Sequence, residues 1–415
     1  MITLSLCMIV KNESDVLGRC LSCTKDIADE IIIVDTGSTD NTKEIAHGFT
    51  DKVYDFEWCD DFATARNFSF SKASMDYTMW LDADDVIDEK NRALLLKLKN
   101  ELSPSTDMVF LKYDVAFDPQ GRPTLSYYRE RIFRTALHYR FIGEIHEVIP
   151  QSGVVEYKEI TVQHRKLHPT ESGRNLRIFQ KMLSDGKKLD PRQKFYYARE
   201  LMYTGDYTAA VRQFNEFLDE GQGWIENNIN ACKDLAQCYA RLGEDISALQ
   251  SLLRSFCYDV PRAELCCDIG KYFFDREQYQ TAVFWYETAA SRTPDEHNGG
   301  FCLPDCYGYI PYMQLCVCYD RMGDRERAAQ YNEKAGLIKP DDKNYLYNRA
   351  YFQDNTGGSD GGARDRVGGR VRFRKREAAR VPHGRPDRRR GVRGREGWTG
   401  LRHRVPVLFR QHTRA

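Results

Sequence analysis

The sequence predicts an α/β domain with a mostly parallel sheet, followed by an all-α solenoid of helical repeats. Three observations predict it. Short apolar, β-branched runs alternate with amphipathic stretches through the first 168 residues. Carboxylates gather where those runs end. Beyond Pro191, small and aromatic residues recur at intervals of about 34–38 residues, once lengthened by an insertion.

Leu4–Val10 has the length of a buried strand, and Lys11-Asn12-Glu13-Ser14 breaks it. Val16, Leu17, Cys20, Leu21 and Thr24 then fall on one helical face. Glu30–Asp35 is a second buried strand, so the first 35 residues make a βαβ unit and imply a parallel sheet. Thr36–Thr42 is a turn into a helix that Ser and Asp can cap. Lys52–Phe56 is a third strand, and Asp61–Asn67 opens another helix. Asp76–Trp80 is a fourth strand, running into Leu81-Asp82-Ala83-Asp84-Asp85. Acids at i and i+2 leave a strand end on one side, where hard oxygen ligands suit Mg²⁺ or Mn²⁺. The plainer alternative is that they cap the helix opening at Asp88-Glu89. Asp35 lies at an equivalent strand end, and ligands of open parallel sheets bind beyond such ends.

Net charge is zero, but 17 Arg and 1 Lys against 5 acids crowd residues 357–415. The preceding part is therefore acidic, which argues against a nucleic-acid partner. No apolar run approaches the ~20 residues of a membrane span, and Met1–Ser5 has no basic lead of a signal peptide. The 13 cysteines sit mostly in helical patterns, as reduced thiols packing in a cytoplasm would. Cys20-x-x-Cys23 lacks a second pair, and Cys302, Cys306, Cys316 and Cys318 match no zinc spacing.

Four strings, Leu6–Glu13, Ile33–Thr42, Asp61–Asn67 and Leu81–Asp84, in this order, resemble family 2 glycosyltransferases of the GT-A fold over about 160 residues. The resemblance implies that Asp35 pairs with the nucleobase, Asp82 lies near the ribose, Asp84 binds the metal and Arg66 approaches the nucleotide. Asn12 and Glu13, closing the first string, join the nucleotide-binding set. It also implies His164, at the end of the last strand-like run, as a further metal ligand with Asp84 and Asp82. The simpler readings are a turn-forming Asp35, a surface ion pair at Arg66 and a structural His164. Phe141-x-Gly143-Glu144-Ile145-His146-Glu147 resembles the tetratricopeptide-bearing branch of the family, that of the sublancin S-glycosyltransferase. Glu147 is the first choice of general base, with His146 and Glu144 as rivals; a solvated acidic loop is the alternative.

The repeats carry tetratricopeptide features: Ala198, Gly205, Tyr207 and Ala210 are echoed by Ala236, Gly243 and Ala248, by Gly270, Tyr279 and Ala282, and by Gly323 and Ala328. The expected layout is a GT-A domain at 1–168, a linker helix at 169–190, repeats at 191–350 and an Arg-rich, disordered or aberrant tail at 355–415. The expected activity is metal-dependent inverting transfer of a sugar from a nucleotide donor, a UDP-sugar, in the cytoplasm or at the membrane periphery. A concave repeat surface would present a peptide or protein acceptor, with contacts near Asn298–Cys302; a cell-envelope precursor is another acceptor, and a scaffold or homodimerisation role is the bland one. The alternative function is a non-catalytic nucleotide-sugar-binding interaction protein. A nucleotidyltransferase would need a Gly-rich loop that Lys11–Ser14 does not offer.

Overall fold

The computed structural model describes residues 1–167, 173–295 and 299–354. The expectations for the tail at 355–415 and for Asn298 lie outside these residues. The chain divides into two compact units, residues 1–311 and the part from Tyr312 on.

The first unit holds an eight-stranded sheet in the order β3-β2-β1-β4-β7-β6-β8-β5. Strands β1 (Leu4–Val10), β2 (Glu30–Asp35), β3 (Val53–Asp55) and β4 (Tyr77–Trp80) are mutually parallel. Helices α1 (Leu17–Thr24), α2 (Thr42–His47) and α3 (Phe62–Phe70) connect them. Because β1 lies between β2 and β4, the crevice beyond its carboxyl end is bordered by Asp35 on one side and by the segment after Trp80 on the other. Alternation along β4 sends Met79 into the core beneath α1, with Leu6, Leu17 and Leu21, and Trp80 to the opposite face with Phe133 and Phe141.

The second half of the sheet is a long antiparallel pair, β6 (Met108–Phe117) and β7 (Pro123–Arg134). β7 joins β4 antiparallel, through Met79↔Ile132. β8 (Val155–His164) runs parallel to β6, and the two-residue β5 (Asp85–Val86) pairs with its end, setting Asp85 opposite His164. The acids are therefore not a continuation of β4. The chain turns after Trp80, Asp82 N–H donates to Asp85 Oδ2 (3.0 Å), and Asp85 re-enters the sheet. α4 (Glu89–Glu101) is capped by Asp88, which accepts from Asn91 N (2.9 Å), so Asp82, Asp84 and Asp85 are free of that duty.

α5 (Arg174–Ser184) precedes the helical pairs α6 (Pro191–Thr204) with α7 (Tyr207–Glu220), α8 (Ile225–Leu242) with α9 (Asp245–Arg254), and α10 (Ala263–Phe274) with α11 (Tyr279–Ala290). Gly205 and Gly243, at φ +90° and +82°, end α6 and α8 in the left-handed conformation that glycine adopts without a Cβ penalty. The insertion after α11 is described from Gly299. Cys302 forms an antiparallel bridge with Ser126 of β7, with N···O distances of 3.0 and 2.9 Å. Glu264 of α10 fastens the same segment, accepting from Leu303 N (3.0 Å) and Tyr307 Oη (2.9 Å). α12 (Tyr309–Arg321), α13 (Arg325–Ile338) and α14 (Lys343–Asp354) complete the described chain, and Tyr319 and Tyr331 stack at 5.5 Å within the second unit. Every cysteine is a free thiol, and no described helix is long and apolar enough to cross a membrane.

Candidate active site

Asp35 ends β2 buried. Its Oδ2 accepts from Gly37 N (3.0 Å) and Ser38 N (2.9 Å), an arrangement that Gly37 allows through φ +99°. Its Oδ1 is buried and has no partner, which is costly unless a ligand donor completes it. Asn12 braces this turn: its N–H donates to Ser38 Oγ (2.9 Å), and its Oδ1 accepts from Thr39 N (2.8 Å). Asn12 thus supports the turn that shapes Asp35.

Across the β1 end, the two aspartates expected to act together have different partners. Asp82 Oδ1 accepts from Arg66 Nη2 at 2.7 Å, and Arg66 Nε donates to Glu147 Oε1 at 2.7 Å. Arg66 is buried, with its guanidinium 4.4 Å from the Trp80 ring centroid and 5.5 Å from that of Phe141. It is a buried bridge between two carboxylates, not a surface ion pair. Burial pushes the Asp82 carboxyl up, but the Arg66 and Arg131 charges outweigh it and hold the group well below the usual range.

Asp84 turns the other way, to His164 Nδ1 at 3.2 Å. Asp85 joins them: its Oδ1 lies 3.4 Å from the same nitrogen and accepts from Tyr113 Oη at 2.9 Å. Ligand atoms of Asp84, Asp85 and His164 all lie within 4.8 Å of one another, and His164 Nε2 is buried without a partner. Burial lowers the imidazole pKa, yet hydrogen bonds to Asp84 and Asp85 raise it to about 9. Glu13 faces this cluster, its carboxyl pushed up to about 7 by burial and then by Asp84 and Asp82. Two carboxylates crowded against one imidazole, with the Glu13 carboxyl facing them, fit a divalent cation. Asp82, expected in that ligand set, is engaged by Arg66, while Asp85 stands beside Asp84 and His164.

The three rivals for the base separate. Glu144 accepts from Lys187 Nζ (2.7 Å) and Gln193 Nε2 (2.9 Å), and His146 Nε2 lies 3.2 Å from Glu200 Oε1, so both face the helical segment. Glu147 alone faces Arg66. It is buried; burial raises its pKa, but Arg66 and then Arg129 outweigh that and keep it below the usual carboxylate range.

Residues outside the expected set complete the site. Arg129 and Arg131, alternate residues of β7, place guanidinium carbons 4.7 and 4.0 Å from the Trp80 centroid. Fully buried Arg131 pairs with Asp85 Oδ2 at 3.2 Å. Their signal in the sequence is the Tyr127-x-Arg129-x-Arg131 alternation, which points at Trp80 only once β7 is known to lie beside β4.

Residues 5–155 match the model of glycosyl transferase family 2. A TPR repeat-containing protein of Synechococcus elongatus is 36% identical over 154 residues, 37% of this chain and 36% of the relative. The SPbeta prophage-derived glycosyltransferase SunS of Bacillus subtilis is 28% identical over 217 residues, 48% of this chain and 49% of its own. The poly-beta-1,6-N-acetyl-D-glucosamine synthase of Staphylococcus epidermidis is 38% identical over 94 residues, 21% of this chain and 23% of its own. The chain spans half or less of the length of each of these relatives.

Proposed function

We propose, from the match of residues 5–155 to glycosyl transferase family 2 and from the tetratricopeptide-like helical pairs that follow, that the chain moves a sugar from a nucleotide donor, a UDP-sugar, to a peptide or protein acceptor. The observation that carries the reading is the Asp84–Asp85–His164 cluster beyond the carboxyl end of a parallel strand. Asp84, Asp85 and His164 would hold Mn²⁺ or Mg²⁺, whose charge would stabilise the departing diphosphate. The unpartnered Asp35 Oδ1 is an acceptor for the imide N–H of uracil. Arg66 keeps Asp82 and Glu147 ionised and fixed against Trp80. Glu147 is the carboxylate that would take the acceptor proton, and attack opposite the leaving group would invert the anomeric centre. An acceptor is expected to approach past Tyr127 and Phe301, whose rings meet edge to face at 5.0 Å where the repeat insertion joins β7.

The test is UDP release from a panel of UDP-sugars with and without Mn²⁺. Slow release that needs the ion and falls at least about 1,000-fold in Asp84→Ala supports the reading. Glu147→Gln is expected to bind donor normally and stop transfer. Donor binding without release by the wild type would favour the non-catalytic alternative.

A further inference from the structure

We infer that Glu200, on the first helix of the repeat region, is a positioning residue for Glu147 and acts on it through His146. The inference takes Glu147's catalytic role from the transferase reading; the mechanical link stands on geometry alone.

Residues 142–148 form a closed loop: Ile142 and Val148 exchange both backbone hydrogen bonds, at 2.9 and 3.1 Å. Within it His146 has φ +51°, a left-handed conformation that costs a residue with a Cβ on the order of 1–2 kcal/mol. That turn makes neighbouring side chains diverge, His146 toward the helices and Glu147 toward Arg66. A strained residue persists only where its surroundings hold it.

The holding comes from α5 and α6. The imidazole stacks on Tyr196 with centroids 4.0 Å apart and planes 10° from parallel. Arg192 Nε donates to the His146 carbonyl at 3.1 Å. Glu200 can only accept, so His146 Nε2 carries the proton and donates to it at 3.2 Å. Asn175 of α5 donates to the same oxygen at 3.0 Å and fixes the carboxylate. Two residues earlier, Glu144 is tied to Gln193 of the same helix. One helix thus sets the backbone of the loop whose other side meets Arg66 and, through it, Asp82. A 1 Å error at such a residue costs up to about 100-fold in rate. The repeat region is in this sense part of the active site.

The experiment uses the full chain with Glu200→Ala and Glu200→Gln, and Lys194→Ala as control, which breaks the same helix's ion pair to Glu220. Sugar-transfer kcat and donor KM are measured together with amide hydrogen exchange of residues 141–149. Glu200→Ala is expected to lower kcat at least about tenfold with donor KM within about twofold, and to speed exchange across the loop. Glu200→Gln, which retains an acceptor oxygen, is expected to restore both, and Lys194→Ala to change neither. Unchanged loop exchange in Glu200→Ala overturns the inference, as does faster exchange with kcat intact. Should Glu200→Ala fail to fold, His146→Asn, which tolerates positive φ and removes the imidazole, is held to the same outcomes. A wild type that turns over no nucleotide sugar sinks the transferase reading instead, and the exchange result alone then decides whether α6 holds the loop.

Discussion

Arg66 and Arg199 are both buried arginines set among aromatic rings and carboxylates, yet they serve different ends. Arg199 of α6 lies 3.0 Å from Asp234 of α8, and the two side chains are 4% and 5% exposed. Arg66 joins two carboxylates from distant segments; it and Glu147 are 8% and 9% exposed, but Asp82 is 29% exposed. The Arg199 pair is sealed. The Arg66 network has one open side, and that side faces Glu13 and the Asp84–Asp85–His164 cluster. A sealed ion pair bridges two helices at a desolvation cost; an open one holds charge ready for something that arrives.

The sharpest break of this contrast is Arg66→Ala. Buried Glu147 and partly exposed Asp82 lose their nearest counter-charge, so stability should fall by about 3–5 kcal/mol and nucleotide release by at least about 100-fold. Denaturant melts and turnover by the folded fraction check both; intact turnover would make the open side meaningless. Arg66→Lys should recover little turnover, since one ammonium cannot reproduce a planar fork donating to two carboxylates. For the sealed pair, Arg199→Ala should cost about 3 kcal/mol while Arg199→Met with Asp234→Leu recovers most of it. A double variant no better than the single would show that the charges, rather than the packing, matter there.

The smallest effect concerns a third network, in which the carboxylate is buried but its lysine partner is half-exposed. Glu30 accepts from Lys52, Ser5 and Ser74; burial raises its pKa, but these bonds outweigh it and bring it down to about 2. A carboxylate whose folded pKa lies below its unfolded value stabilises the protein above the unfolded pKa and loses that contribution as pH falls through the folded one. Glu30→Gln should therefore melt lower than wild type at neutral pH, and the gap should close between pH 4.5 and about 2.

What could be read beforehand follows from the range of the interactions. Strands β1, β2 and β4 were legible because strands covered on both faces are continuous apolar runs, and Asp35 and Asp84 because they stand where such runs stop. The helical pairs showed through Gly205, Gly243 and Gly323, each a left-handed helix end. Asp85 was missed as a partner of His164 because β5 is two residues long and has no pattern of its own. Glu144 and His146 were set beside Glu147 because adjacency is all a sequence shows; the positive φ at His146 that parts them is held by contacts with α6. Arg129 and Arg131 waited on the pairing of β7 with β4.

The bridge between Ser126 and Cys302 has a consequence for the making of the protein. A ribosome emits chain at about 5–20 residues per second, so β7 is out for on the order of ten seconds before its bridging partner exists. During that interval the nascent sheet lacks the segment that covers Ser126, and for its first part also α6, the helix that holds His146. Synthesis order thus builds in a delay: the strand ends that carry Asp35 and Asp84 are made before the helix that braces the Glu147 loop, and the newborn domain matures only as its helical pairs emerge.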